Sequence, residues 1–323
     1  MTLTLVQRIV GLLALLAVAT AHAQDAPYPS RPIRLVAPFA PGGPVDAGAR
    51  LLAPKLQEAL GAQVYVENVP GGSGNIGTAQ VAKAAGDGHT MLVISSGFVV
   101  NPSMFKLTHD WEKDLAPVAL IAIAPQVILV HPSVPAHDMP ELIALIKASP
   151  GKYSYGSAGL GTPGYLAGEM LRQRFGIDLQ HVPFQGGGPA VVSTVGGHTP
   201  MVITTISSAA GAIAQGAIRP LAVTSPQRST TLPDVPTLAE QGIPDQESDV
   251  ILGALVPATT PADIIARLNR AIGTIIADQE FAQRLAVIGF EAVGGTPAEF
   301  GARIRTEIAK WAKVVRDAGI VPQ

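Results

Sequence analysis

The chain contains no cysteine, which excludes a disulfide, a thiolate nucleophile, a cysteine metal site and a lipid-anchored cysteine. Charge is sparse: 22 lysines and arginines against 24 aspartates and glutamates leave a net charge of −2 and no basic patch to suggest nucleic acid. Seven histidines occur, at 22, 89, 109, 131, 137, 181 and 198, and no two stand at H-x-x-x-H spacing, so a metal site has no local support. The nucleophile elbow G-x-S-x-G is also missing: Ser73 has Asn75 where the last glycine belongs, and Ser157 has Tyr155 where the first belongs. No Walker lysine follows any glycine loop. Aromatic residues make up only 5% of the chain, while 34 glycines and 28 prolines describe a compact protein built with many tight turns.

No apolar run reaches the roughly 20 residues that a membrane-spanning helix needs. The N-terminus reads instead as an export signal. Arg8 supplies a positive start, Ile9 to Ala19 an apolar core, and Ala21-His22-Ala23 a small-x-small cleavage pattern. Cleavage after Ala23 is expected to place a soluble protein outside the cytoplasm, in the periplasm. It removes Arg8 and leaves 21 basic against 24 acidic residues, a net charge of −3. About 300 mature residues suggest two lobes.

The remaining chain is organised around Leu35 to Arg50, LVAPFAPGGPVDAGAR, where an apolar strand runs through a Pro-Gly-Gly turn into a helix. Proline at a first helical position gives up an N–H that has no helical partner, so Pro44 marks the helix start. The turn before it, at Gly42 and Gly43, leaves backbone N–H groups bare at the positive end of a helix dipole, an anion site made without a charged side chain. Asp46, at the third helical position, is expected first to cap those N–H groups itself.

Strands at Ile33 to Phe39, Gln63 to Val69 and His89 to Gly97 alternate with helices from Pro44 to Leu60 and from the Gly72–Gly77 turn to about Ala84. This predicts an α/β fold with a mostly parallel sheet flanked by helices, ligands sitting at the carboxyl ends of the strands. Gly72 to Gly77 matches G-x-G-x-x-G, but the next strand ends Ile94-Ser95-Ser96-Gly97 with no acidic residue for a ribose, which argues against a dinucleotide.

Leu115 to His131 is too long and apolar for one edge strand and reads as two, broken near Pro125, with Gln126 to Val130 crossing into a second lobe. That lobe repeats the device: Thr162-Pro163 caps and starts one helix and Gly186-Gly187-Gly188-Pro189 another. Thr230 to Gly242 reads as a proline-rich surface connection, and Asp249 to Ala258 as the strand that returns. The expected domains are 1–23 as signal peptide, 24–125 with 250–323 as lobe 1, and 126–249 as lobe 2.

Taken together, PFAPGGPVDAGAR, VENVPGGSGNIG, DGHTMLVISSG, NPSMF, SYGSAGLGTPGYLAGE, HVPFQGGGPA and GGTPAEF resemble the Bug receptors, the extracytoplasmic substrate-binding proteins of tripartite tricarboxylate transporters. The resemblance spans essentially the whole chain after the signal. It implies a two-lobed, type II-like periplasmic binding-protein fold with two crossing hinge strands, closing as a monomer around a small carboxylate. It implies no cofactor and no catalysis, with membrane transporter subunits as partners; a sensor kinase is the alternative partner, and a small-molecule enzyme the alternative class.

In that family the acid is held largely by backbone amides and ordered water. The matching loops carry Phe39, Ala40, Gly42, Gly43 and Asp46; Gly72, Ser73, Gly74 and Asn75; Ser95, Ser96 and Gly97; and Ser157, Ala158, Gly159 and Thr162. Departures fall on the far wall. Tyr165 stands where the family commonly has histidine, Phe184-Gln185 where it has a tyrosine-lysine pair, and Thr204-Thr205 where it has an acidic-amide pair. The usual tryptophan near the returning strand is absent, with Val250 and Ile251 nearby. These changes predict a less charged wall and a ligand without an ammonium group, such as a simple or aromatic carboxylate.

Overall fold

The computed structural model describes residues 28–317 and 319, so the expected signal peptide lies outside the described residues. Its α/β architecture consists of two sheets, each flanked by helices, as the strand–helix alternation predicts. In the first sheet, β1 (Ile33–Ala37) lies between β2 (Val64–Asn68) and β3 (Thr90–Ile94), all parallel. Every residue of β3 is buried, as expected for a parallel strand covered on both faces.

β4 (Leu115–Ala124) leads directly into β5 (Gln126–Val130), and only Pro125 separates them. In the second sheet β6 (Tyr153–Ser157) pairs in parallel with β7 (Leu179–Pro183) and β8 (Met201–Thr205). There β5 runs antiparallel to both β8 and β9 (Arg219–Val223). The chain returns through β10 (Val250–Pro257), antiparallel to β3 and β4, and adds the two-residue β11 (Glu291–Ala292) at the edge. The sheet orders are therefore β11-β4-β10-β3-β1-β2 and β7-β6-β8-β5-β9. Both are mixed: each keeps a parallel trio, with β10 running antiparallel beside it in the first sheet and β5 in the second.

Several expectations are corrected in detail. The segment after β3 becomes helical at Gly97 and stays so to Met104, four residues before the start suggested by Asn101. The helix Pro44–Leu60 is continuous through Pro54, which lies on the exposed side, and Gly61 ends it in the left-handed region at φ 69°. The Thr230–Gly242 connection is not merely superficial. Val235 and Leu238 are buried in the second lobe, and Thr237 bridges to Val223.

The return crossing is pinned to both lobes. Ser96 Oγ donates to the Asp249 carbonyl at 2.9 Å and accepts from the Ile251 N–H at 2.9 Å. On the other side Ser248 Oγ donates to the Pro163 carbonyl at 2.7 Å. An apolar cluster continues across the junction, joining Leu166 and Met170 of the helix Pro163–Phe175 to Phe98, Val99, Val100 and Trp311.

The start of the Pro163–Phe175 helix sits hard on β8. A Cβ on Gly164 would lie 2.3 Å from the Ile203 carbonyl oxygen and 3.2 Å from Gln126 Oε1. Because a backbone carbonyl in a sheet cannot swing away, Gly164→Ala is expected to destabilise the protein by about 1–3 kcal/mol. Urea unfolding monitored by circular dichroism measures this; a change below about 0.5 kcal/mol would mean that the helix start is free to lift.

Candidate functional site

A cleft of about 670 Å³ lies between the lobes, lined on one side by Phe39, Ser73, Ser95, Gly97, Val100, Asn101, Met104 and Phe105 and on the other by residues 160–163, Tyr165 and Leu166. Two helices meet it N-terminus first. In the helix Gly97–Met104 the N–H groups of Phe98 and Val99 turn back to the Ser95 and Ser96 carbonyls, which leaves the Gly97 N–H at the cleft. Opposite, Thr162 caps the helix Pro163–Phe175: its Oγ1 accepts from the Tyr165 N–H at 3.4 Å and donates to the Gly159 carbonyl at 2.7 Å.

The loop before Asn75 reaches the same cleft through a single turn. Ser73 adopts φ 56°, one of two non-glycine residues with positive φ among those described. Such a conformation costs of order 1–3 kcal/mol and persists only where the surroundings impose it. Here the restraint is Asn101, which is buried and whose Nδ2 donates to the Ser73 carbonyl at 2.9 Å and to Asn75 Oδ1 at 2.8 Å. Gly74 supports Phe39 from behind, since a Cβ on it would lie 3.0 Å from the tip of the Phe39 ring.

Removing the Asn101 donor should free that turn. In Asn101→Ala, the amides of residues 72–76 are expected to exchange hydrogen at least tenfold faster and the melting temperature to fall by a few degrees, the cost of one or two buried hydrogen bonds. Hydrogen-exchange mass spectrometry checks this, and unchanged protection would show the turn to be held by its own backbone.

Of the twenty sequence-predicted site residues, the cleft brings together Phe39, Ser73, Ser95, Gly97, Thr162 and Tyr165. The others are placed around or behind it. Ala40, Gly42 and Gly43 form the outer turn before Pro44, and the Gly42 N–H donates to Asp46 Oδ2 at 2.9 Å. The buried Asp46 carboxylate also accepts from Arg50 and Asn68. Burial pushes the Asp46 carboxyl up, but these hydrogen bonds outweigh it and hold it below the usual range. Asp46 therefore ties the Gly42 turn to its own helix, but no side chain caps the first N–H groups of that helix, so the expected cap is not made.

Ser96, expected at the ligand, is buried and bonded to Asp249 and Ile251. Ser157 is fully buried, 2.7 Å from His181 Nε2 and 3.2 Å from the Gly159 N–H. Tyr155 and Tyr165 pack tilted against the His181 ring, with centroids 4.9 and 4.6 Å away. Burial holds the His181 imidazole below its ordinary pKa. Ser157 is shut off from solvent, and its hydroxyl bonds both the N–H and the carbonyl of Gly159, which shapes the Ser157-Ala158-Gly159 turn.

Phe184 covers Gly156 and donates its N–H to the Ser157 carbonyl. Thr204 is buried beneath Gly187, and Thr205 Oγ1 bonds Ser208 Oγ at 2.9 Å. Phe184, Thr204 and Thr205, expected on the far wall, do not line the cleft. Gly72 and Asn75 flank Ser73, Gly72 at φ 54°.

The wall that sequence reasoning missed comes from Val100, Asn101, Met104, Phe105, Leu160, Gly161, Pro163 and Leu166. A signal for part of it was present. Gly97, Val100, Asn101 and Met104 stand at i, i+3, i+4 and i+7, one helical face, provided the helix begins at Gly97. Among the described residues no group of three histidines, aspartates or glutamates is placed to hold a metal ion, and no helix is long and apolar enough to cross a membrane.

Comparison with known proteins matches residues 48–320 to TctC, the tripartite tricarboxylate transporter family receptor. Protein BugT of Bordetella pertussis is 35% identical over 325 residues, covering 99% of each chain. Among solved structures, R. palustris Rpa4515 with adipate is 32% identical with a TM-score of 0.73, covering 92% of this chain and all of that one. A TctC solute binding protein from Polaromonas without ligand is 28% identical with a TM-score of 0.84, covering 90% of this chain and 99% of its own.

Proposed function

This chain belongs to the tripartite tricarboxylate transporter receptor family, and on that premise we propose that it is a periplasmic receptor that captures a small organic carboxylate and delivers it to a membrane transporter. One observation carries the reading: helix starts at Gly97 and Pro163 converge from opposite lobes on a cleft lined by amides and hydroxyls and by no ionisable acid or base except the Tyr165 phenol. Oriented N–H groups at helix N-termini hold an anion without a counter-charge. The Rpa4515 structure with adipate supports a carboxylate as the class of ligand.

Capture requires the ligand to favour the closed arrangement through contacts with both lobes. Residues 28–125 with 250–317 are proposed to swing against 126–249 about Pro125 and the Ser248–Asp249 crossing. Export by the N-terminal signal belongs to the same proposal, as does the absence of turnover, since the buried Ser157 offers no reachable nucleophile.

A thermal-shift screen of the mature protein against mono-, di- and tricarboxylates, aromatic acids and amino acids tests the reading. A ligand at 100 times its Kd adds about 2.7 kcal/mol, a shift of several degrees. The expected result is a selective shift with one acid class, a smaller radius of gyration by small-angle scattering, and recovery of the acid unchanged. No shift with any carboxylate, in protein shown to be ligand-free by native mass spectrometry, would overturn it.

A further inference from the structure

We infer that the cleft selects a monocarboxylate with an apolar chain or ring, and discriminates against acids with a second charge of either sign. The inference rests on the carboxylate reading above and concerns the end of the ligand away from the amides. No aspartate, glutamate, lysine, arginine or histidine lines the cleft. Its polar groups are uncharged: Ser73, Ser95, the Gly97 backbone and Asn101 on one side, Thr162 and Tyr165 on the other, with Asn101 Nδ2 already engaged by Ser73 and Asn75. From the Gly97 end, one helical face then runs outward through Val100 and Met104 to Phe105.

The opposite lobe presents Leu160 and Leu166 to the same cleft. Leu160 is 72% exposed, the most exposed of the cleft's large apolar side chains, and Leu166 is buried. An exposed leucine facing Met104 and Phe105 across an open cleft gains apolar contact when the lobes approach, and more when an apolar ligand fills the gap.

A second carboxylate would have to leave water for this wall without a cation to meet it, and an ammonium group without an anion. Burying such a charge unpaired costs far more than the apolar contacts return. Lys83 and Lys106, the lysines flanking these segments, line a separate groove with Ile76 and Leu107. His181 lies behind the Tyr165 ring. The resulting specificity is narrower than the family's name implies: one carboxylate held by amides, and a body recognised by exclusion of charge.

Calorimetry with matched acids tests this. Hexanoate and adipate share six carbons and differ in one carboxylate, benzoate and terephthalate share the ring and differ in one carboxylate, and 6-aminohexanoate adds an ammonium to hexanoate. Hexanoate or benzoate is expected to bind at least tenfold more tightly than its dicarboxylate partner, and 6-aminohexanoate at least tenfold more weakly than hexanoate. Met104→Lys, at a half-buried helix end, supplies a distal cation and should move the hexanoate-to-adipate ratio at least tenfold towards adipate. Tighter binding of adipate or terephthalate by the parent protein would overturn the inference while leaving the carboxylate reading intact. An unchanged ratio in folded Met104→Lys would overturn the placement of the distal end. Failure of all five acids and of the wider carboxylate panel would remove the receptor reading and this inference with it.

Discussion

Ser95→Asp is expected to weaken carboxylate binding by at least 100-fold while leaving the fold intact. Ser95 ends the β3 segment half-buried at the cleft, two residues before the helix start whose N–H groups are proposed to hold the acid. A carboxylate there repels the ligand's own; two unit charges about 4 Å apart at an effective dielectric near 20 interact with about 4 kcal/mol. It would also compete for the Gly97 N–H, as Asp46 takes the Gly42 N–H ahead of the Pro44 helix. Ser95→Asn, equal in shape and neutral, should stay within tenfold of the parent. Calorimetry on both variants, with circular dichroism to establish folding, separates charge from volume. If Ser95→Asp binds within tenfold of the parent, the acid does not sit at the Gly97 helix start.

Arg303→Met is expected to cost about 3–5 kcal/mol of stability at pH 8, the range for leaving one member of a buried pair alone, and markedly less at pH 5. Asp249 opens the return crossing with its side chain fully buried, and Arg303 Nη2 approaches Oδ2 at 3.5 Å. That contact is long and acts mainly through charge, since Oδ2 has no partner in good hydrogen-bond geometry. Arg303 Nε also lies 3.4 Å from Glu307 Oε1, and Lys310 bonds Glu307 at 2.8 Å.

Burial pushes the Asp249 carboxyl up to about 7, against the pull of Arg303 and Lys310. Between the ordinary 3.8 and about 7 the folded chain keeps a proton that the unfolded chain has lost. The stability from this group is therefore full below the lower value and lost as pH rises through the upper one. Without Arg303 the ionised form is penalised further, so the loss concentrates at high pH; at pH 5 Asp249 is neutral and needs no cation. Urea unfolding of the parent, Arg303→Met, Asp249→Asn and the double variant at both pH values measures this. Equal costs of Arg303→Met at pH 5 and pH 8 would assign the effect to packing of the arginine stem. The expected coupling would place a titrating group in the crossing, between Ser248 on the Pro163 carbonyl and the Ser96 pin.

The conformation of single segments was legible in the sequence because it follows from neighbouring residues. Apolar runs specified β1 and β3, proline at the first turn specified the helices at Pro44 and Pro163, glycine ended the first at Gly61, and Pro125 broke β4 from β5. These local rules, with the family resemblance, sufficed for the α/β class, two lobes and the carboxylate expectation. The cleft lining was only partly legible: Phe184, Thr204 and Thr205 were expected on its far wall, while Val100, Met104, Phe105 and Leu160 line the cleft.

Which helix start faces the cleft was decided only by tertiary structure. Pro44 and Pro163 carry the same local signal, yet the first opens on the outer turn, where Asp46 takes the Gly42 N–H, while the second lies across the cleft from Gly97, 66 positions away in the chain. Capping, turns and periodicity act over a few residues and set what each segment is. Facing pairs are set by strand order, by the antiparallel return of β10 and by the Ser96 and Ser248 pins, which join residues 155 and 85 positions apart, beyond the reach of any local pattern.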